Sequence, residues 1–206
     1  MDARRYLTKS GRDVFGDWLS GLKDDRAKAK IVARIDRLSL GNFGDCKALG
    51  GGLFELRINW GPGYRVYYGL VGVACILLLC GGDKRKQSAD INRAGVSQGL
   101  SGKDTMKRKA SISHDEAMVL ELRRNPKFAA EYLRAALEDD NEPRVLLIAL
   151  RRIAEARGGI AKVAKAAGIE RESLYRVLSL RGNPRLSTLV AVTKAVGLKL
   201  TVEAAR

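Results

Sequence analysis

The residues best suited to chemistry in this chain are cations at regular spacing. Arg57 and Arg65 lie in two strand-like segments joined through Gly-Pro-Gly, and Lys84 and Arg85 follow a third. On an antiparallel meander these cations can converge on one face, an arrangement suited to an anionic partner. Alternation puts Glu55, Arg57 and Asn59 on one side of their strand and Phe54, Leu56 and Ile58 on the other, so a polar face over an apolar core is expected. The plain alternative is that surface Arg and Lys serve solubility and weak ion pairing. A second set lies far along the chain. Residues 160–180, IAKVAKAAGIERESLYRVLSL, read as a small-residue helix, a Gly turn and an amphipathic helix, a helix-turn-helix pattern. Ala164, Gly168, Ile169, Leu174 and Val177 would pack its core. Arg171, Glu172, Ser173, Tyr175 and Arg176 would then face solvent or a DNA major groove, where Arg grips guanine and Ser reaches base or phosphate. Here the alternative is a helical hairpin that binds nothing.

The elements that must hold these residues differ between the two parts of the chain. Before residue 95, apolar spacing near 3.6 predicts helices over residues 11–22 and 24–40, and a turn-rich GNFGD follows at 41–45. Residues 53–60, 64–70 and 73–80 then read as a three-stranded antiparallel meander. A short strand around residues 4–7 can add a fourth, and residues 84–94 can close the domain as a helix. Residues 95–105, GVSQGLSGKDT, lack apolar periodicity and read as a flexible linker, after which Met106 starts a second, basic segment. Helices are expected there over 114–124, 126–138, 143–157, 160–167, 171–180 and 186–196, with Pro126 and Pro143 in first turns and Gly158, Gly168, Gly182 and Gly197 at helix ends. The tail, 198–202, alternates like a short strand. The expected domains are therefore 1–94, α+β with two helices on a mainly antiparallel sheet, a linker at 95–105, and an all-α domain at 106–206.

Composition narrows the partners. The 206 residues hold 38 Lys+Arg against 23 Asp+Glu, a net charge of +15 and a pI near 10.0, and both parts share the positive excess. With 46% hydrophobic residues the chain is not a disordered polymer. Its longest apolar run, GLVGVACILLLC at 69–80, is shorter than the roughly 18 to 20 residues that cross a bilayer. No membrane span is expected, and the charged start without an apolar h-region indicates the cytoplasm. Cys46, Cys75 and Cys80 form no CxxC pair, so they are read as reduced core residues; no metal or organic cofactor has a signature here.

The run ELRINWGPGYRVYY at 55–68, followed by ILLLCGGDKRKQSADINRA at 76–94, resembles the HigB-like branch of the RelE toxin superfamily, with GNFGD and the helix around 15–22 also in keeping. The resemblance implies an endoribonuclease that cuts mRNA in the ribosomal decoding site. Arg65 then matches a position that contacts the scissile phosphate. Arg57 matches a basic position suited to activating the ribose 2'-OH or holding phosphate, and Lys84 and Arg85 match the basic cluster after the last strand. Gln87, Tyr64 and Lys47 are the implied RNA contacts. Cleavage by 2'-OH attack needs a base, a stabiliser for the phosphorane and an acid for the leaving 5'-oxygen. The chain's single histidine, His114, lies beyond the linker, so cationic catalysis is expected rather than a two-His mechanism. Some relatives place a catalytic Tyr near the end of the domain, where this sequence has Ile91. Tyr64, Tyr67 and Tyr68 can stack a base or simply fill the core. Glu55 and Asp90 are read as structural salt-bridge partners.

ESLYRVLS with GNPRLSTL, residues 172–189, resembles the Xre or HigA-like addiction-module antidote family over most of 110–202. That resemblance implies neutralisation of a toxin, in cis or in trans, and repression of its own operator DNA by a homodimer on two half-sites. Helices within 116–137 are the implied toxin contact, with Leu120, Phe128, Tyr132 and Leu133 as anchors or as core. The expected function is a fused type II toxin–antitoxin. The rival is a non-enzymatic helix-turn-helix regulator whose sheet domain binds or dimerises.

Overall fold

A computed structural model describes residues 1–84 and 111–202 of the protein. The expected linker at 95–105, the closing helix over 84–94 beyond Lys84, and Arg85, Gln87, Asp90 and Ile91 lie outside the described residues. Two compact units result, Met1–Ala117 and Met118–Arg206.

In the first unit the elements run β1 (Asp2–Tyr6), α1 (Val14–Gly21), α2 (Asp25–Ser39), β2 (Cys46–Gly50), β3 (Leu53–Ile58), β4 (Tyr64–Val71), β5 (Cys75–Asp83) and β6 (Ser111–Ser113). They build one sheet of order β2-β3-β4-β5-β1-β6, parallel only where β1 meets β5. Both helices start on aspartates that satisfy orphan N–H groups. Asp13 accepts from Gly16 at 2.7 Å, and Asp24 accepts from Arg26 and Ala27 at 2.9 and 3.2 Å. Helix α1 packs on β5 and α2 on β3. A Cβ on Gly81 would lie 2.1 Å from the Trp18 ring, so only glycine lets the indole lie on the sheet at that point.

The other sheet face, expected to be polar, carries its cations on β2, β3 and β4 but is apolar and buried toward β5 and β1. Tyr6, Leu53, Tyr67, Leu77, Leu79 and Cys80 form an apolar cluster, and Glu55 is 0% exposed. The physical reason is β5, whose run of apolar residues has no polar side. Tyr67 opposes Cys80 whereas Tyr68 opposes Leu78, so Leu79 is an inserted residue and two consecutive tyrosines are both buried. Of the cysteines, all free, Cys80 is core while Cys46 and Cys75 are half-buried.

The remaining elements are helices: α3 (His114–Arg124), α4 (Pro126–Leu137), α5 (Arg144–Ala156), α6 (Ile160–Ala167), α7 (Arg171–Val177) and α8 (Leu186–Ala195). Asn125 caps α4 through a 3.0 Å bond from the Phe128 N–H, with Pro126 in the first turn. Phe128 and Tyr132 stack in the core, where the Tyr132 hydroxyl accepts from Arg152 Nη1 at 2.7 Å. Residues 198–202 form no strand. Their alternation finds no edge to pair with, because the described part of the second unit is helical. The layout is thus an α+β unit followed by a helical one.

Candidate functional site

Arg57 and Arg65 are direct cross-strand partners in the β3–β4 ladder, and the neighbouring row holds Lys47, Glu55 and Tyr67. Cross-strand partners, and residues two apart on one strand, share a face. Arg65 also opposes Gly82, and Lys84 follows two residues later, just past the end of β5. The Lys84 N–H donates to the Gly63 carbonyl at 2.9 Å. Gly63 has φ 79°, and a Cβ there would lie 3.6 Å from Arg65 Nη1 and 3.7 Å from Lys84 Cβ. The Gly-Pro-Gly turn therefore brings Lys84 to the end of the arginine pair. Lys47, Arg57, Arg65 and Lys84 are brought to one face, whereas Tyr64 falls on the opposite one, edge-on to Trp18 at 6.3 Å. Burial, then Asp24 and Asp83, push the Tyr64 phenol above its ordinary range.

Glu55 organises this face from below. Arg57 Nε donates to Glu55 Oε1 at 2.7 Å, Arg65 Nε stands 3.8 Å from the same oxygen, and the Tyr67 hydroxyl donates to Oε2 at 3.4 Å. Arg57 Nη1 also lies 3.7 Å from Asp45 Oδ1. Arg65, 8% exposed, donates through Nη1 to its neighbour's carbonyl at 2.8 Å, and its buried Nε has no hydrogen bond. The hydrogen bond to Glu55 raises the Arg57 pKa further, so Arg57 remains a fixed cation and is no proton acceptor. Two held guanidiniums with exposed Lys47 and Lys84 at the margins can orient a phosphate. The structural salt bridge expected of Glu55 is present. Asp45 and Tyr67 as its companions were missed, because only the β2–β3–β4 register reveals them.

His114 has another place. It is 0% exposed inside the first unit, with Nδ1 accepting from Arg5 Nε at 3.1 Å and its ring 5.9 Å from Phe15. Among the described residues no cluster of His, Cys, Asp and Glu is placed to hold a metal ion. No helix of the described residues is long and apolar enough to cross a membrane.

In the second unit, α6 ends at Gly168, whose φ of 67° lets the Ile169 N–H return to the Ala164 carbonyl at 2.9 Å. After that turn Glu170 caps α7, accepting from Glu172 and Ser173 at 2.9 and 2.6 Å, and these backbone bonds hold its carboxyl below the usual range. Ala164 and Leu174 are buried as expected, but Ile169 and Val177 are only half-buried, Gly168 is exposed, and Leu178 fills the core instead. Arg171, Glu172, Tyr175 and Arg176 are exposed together on α7, and Ser173 is half-buried. Arg151 of α5 stacks over the Tyr175 ring at 5.2 Å, a contact that spacing along the chain does not show. Of the candidate anchors, Phe128, Tyr132 and Leu133 are core, and Leu120 is exposed.

Residues 114–204 match the family described as probable addiction module antidote protein. A Haemophilus influenzae protein described only as uncharacterized is 58% identical over 81 residues, covering 39% of this chain and 82% of that protein. A second from the same organism, described in the same words, is 43% identical over 75 residues, 36% of this chain and 75% of that protein. No solved structure matches the chain.

Proposed function

Because the chain belongs, through residues 114–204, to the family of probable addiction module antidote proteins, we propose that it is a type II toxin and antitoxin joined in one polypeptide. The family supports a toxin–antitoxin association. The enzymatic reading of the first unit rests on one observation: Arg57 and Arg65 are fixed side by side over Glu55, with Lys84 at the end of the pair. In this reading the first unit is an mRNA endoribonuclease of the RelE and HigB kind acting on the ribosome. Arg65 and Arg57 stabilise the phosphorane that forms when the ribose 2'-OH attacks, and Lys84, with Arg85, moves protons or neutralises the leaving oxygen. Lys47 and Gln87 hold the flanking RNA, while Tyr64, on the opposite face against Trp18, is left to the core. The α6–turn–α7 pair is the helix-turn-helix of a repressor dimer, with Arg171, Glu172, Ser173, Tyr175 and Arg176 facing operator DNA.

The test is mRNA cleavage on translating ribosomes after the chain is cut within residues 95–105 and the second part removed. Cleavage that added residues 106–206 suppress is the expected result, and Arg65→Ala should lower it about 100- to 1,000-fold. A folded first part that cuts nothing refutes the nuclease. The rival, a regulator whose sheet domain only binds or dimerises, is favoured by one observation: Arg57 is already engaged by Glu55 and Asp45. Under that rival, Arg65→Ala changes neither growth arrest nor RNA.

A further inference from the structure

Strand β6 lies at the edge of the first unit's sheet, although it comes from the residues that immediately precede the antidote match. Its three residues pair with β1 as Arg4↔Ser113, Arg5↔Ile112 and Tyr6↔Ser111. So short a strand has few backbone bonds to hold it, and side chains supply the rest. Arg4 donates through Nε to Ser111 Oγ at 2.8 Å and through Nη2 to the Ser111 carbonyl at 3.1 Å. The next residue, His114, is sunk beside Phe15 and receives the Arg5 Nε–H at 3.1 Å, while Arg5 itself is anchored 3.3 Å from Asp13. Ser113 has a double role, since its hydroxyl accepts from the Glu116 N–H at 3.3 Å and starts α3. That helix runs past Ala117 into the second unit.

We propose that residues 111–114 are the handle by which the antidote part of this chain grips the toxin part: a strand added to the outer edge of β1 and locked by His114. The inference rests on the toxin–antidote reading for those two names. Strand addition suits this task, because main-chain bonds give affinity and the Arg4–Ser111 and Arg5–His114 contacts give register. The strand's own side-chain contacts are polar, and only His114, buried beside Phe15, must leave the core for the grip to be released. It also covers the edge that would otherwise offer unpaired N–H and C=O groups to other chains. The cation face lies on β3 and β4, separated from β1 by β5, so the handle tethers without itself covering the arginines.

The test uses the full chain with a protease site inserted between Gly102 and Lys103. After cutting, the unaltered pieces should stay together on size-exclusion chromatography at micromolar concentration. The double variant Ser111→Pro/Ile112→Pro keeps the extended backbone but removes whichever of the two N–H groups faces β1. It should weaken association at least tenfold. Should that variant misfold, Arg4→Ala decides, with a several-fold loss expected from losing the Ser111 contacts alone. Unaltered pieces that separate at once, or folded variants whose pieces hold as tightly as the parent, overturn the proposal. Association is read without RNA or ribosomes. Loss of grip with no cleavage would leave the handle standing and remove only the nuclease.

Discussion

Glu55→Ala tests whether one buried carboxylate organises the cation face. Its side chain is 0% exposed and shared by the side chains of Arg57, a third exposed, and Arg65, almost wholly buried. Removing one partner of a buried ion pair costs about 3–5 kcal/mol, because the charge left behind stays desolvated. Arg57 can turn into water, so the cost falls on Arg65 and lies at the low end, about 3 kcal/mol. The long bond from the Tyr67 hydroxyl adds less than about 1 kcal/mol. For a unit of this size each kcal/mol lowers Tm by about 3–5 °C, so a fall of roughly 10–15 °C is expected for the first unit. Calorimetry on the full chain reads this directly, with the second unit's transition as internal control. Glu55→Gln, which keeps an acceptor for Arg57 but no charge, should lose about half as much. Glu55→Leu with Arg65→Met should recover most of the loss, since an apolar pair of similar volume replaces a buried ion pair at little cost. A fall below about 3 °C for Glu55→Ala, or a double variant worse than the sum of the singles, refutes the reasoning.

Three further outcomes are expected. Gly81→Ala forces the Trp18 ring off the sheet and should cost about 1–3 kcal/mol, with a change in tryptophan fluorescence in the folded state. Tyr132→Phe deprives Arg152 of its 2.7 Å bond inside the helical core and should cost about 1–3 kcal/mol by urea denaturation, the second unit's transition moving and the first unit's staying. Glu170 titrates below the ordinary carboxylate range because its charged form caps α7. Its stabilisation is therefore present above the unfolded value and lost as pH falls through the depressed folded one. Protection of the Glu172 and Ser173 amides, taken relative to their intrinsic exchange rates, should fall in that acid window, and Glu170→Gln should remove the pH dependence.

The helices were legible because their signals are local: apolar spacing near 3.6, Pro126 in a first turn and Gly168 closing a helix, whereas the caps Asp13, Asp24 and Asn125 emerge only in the structure. The meander was legible from Gly-Pro-Gly between two strand-like runs. What escaped is tertiary. β2 is an exposed, weakly alternating CKALG that becomes a strand only because β3 is beside it, and β6 is three residues whose partner is over a hundred positions away. The cation row was visible as alternation. The buried side of that row was not, because alternation tells which residues share a face and leaves open whether anything covers it. Tyr64 shows the same limit: one position from Arg65, it lies on the other side of the sheet.

The position of β1 has a consequence for how the protein is made. The first strand to leave the ribosome is the one that must wait, since its inner neighbour is β5 and its outer neighbour is β6. At about 5–20 residues per second, synthesis from the end of β5 to β6 takes roughly 1.5 to 6 seconds, during which the nascent sheet has an open outer edge. Placing β1 first and its edge partner β6 late ties completion of that sheet to synthesis of the segment that leads into residues 114–204, so a chain that stops early is left with an unfinished sheet.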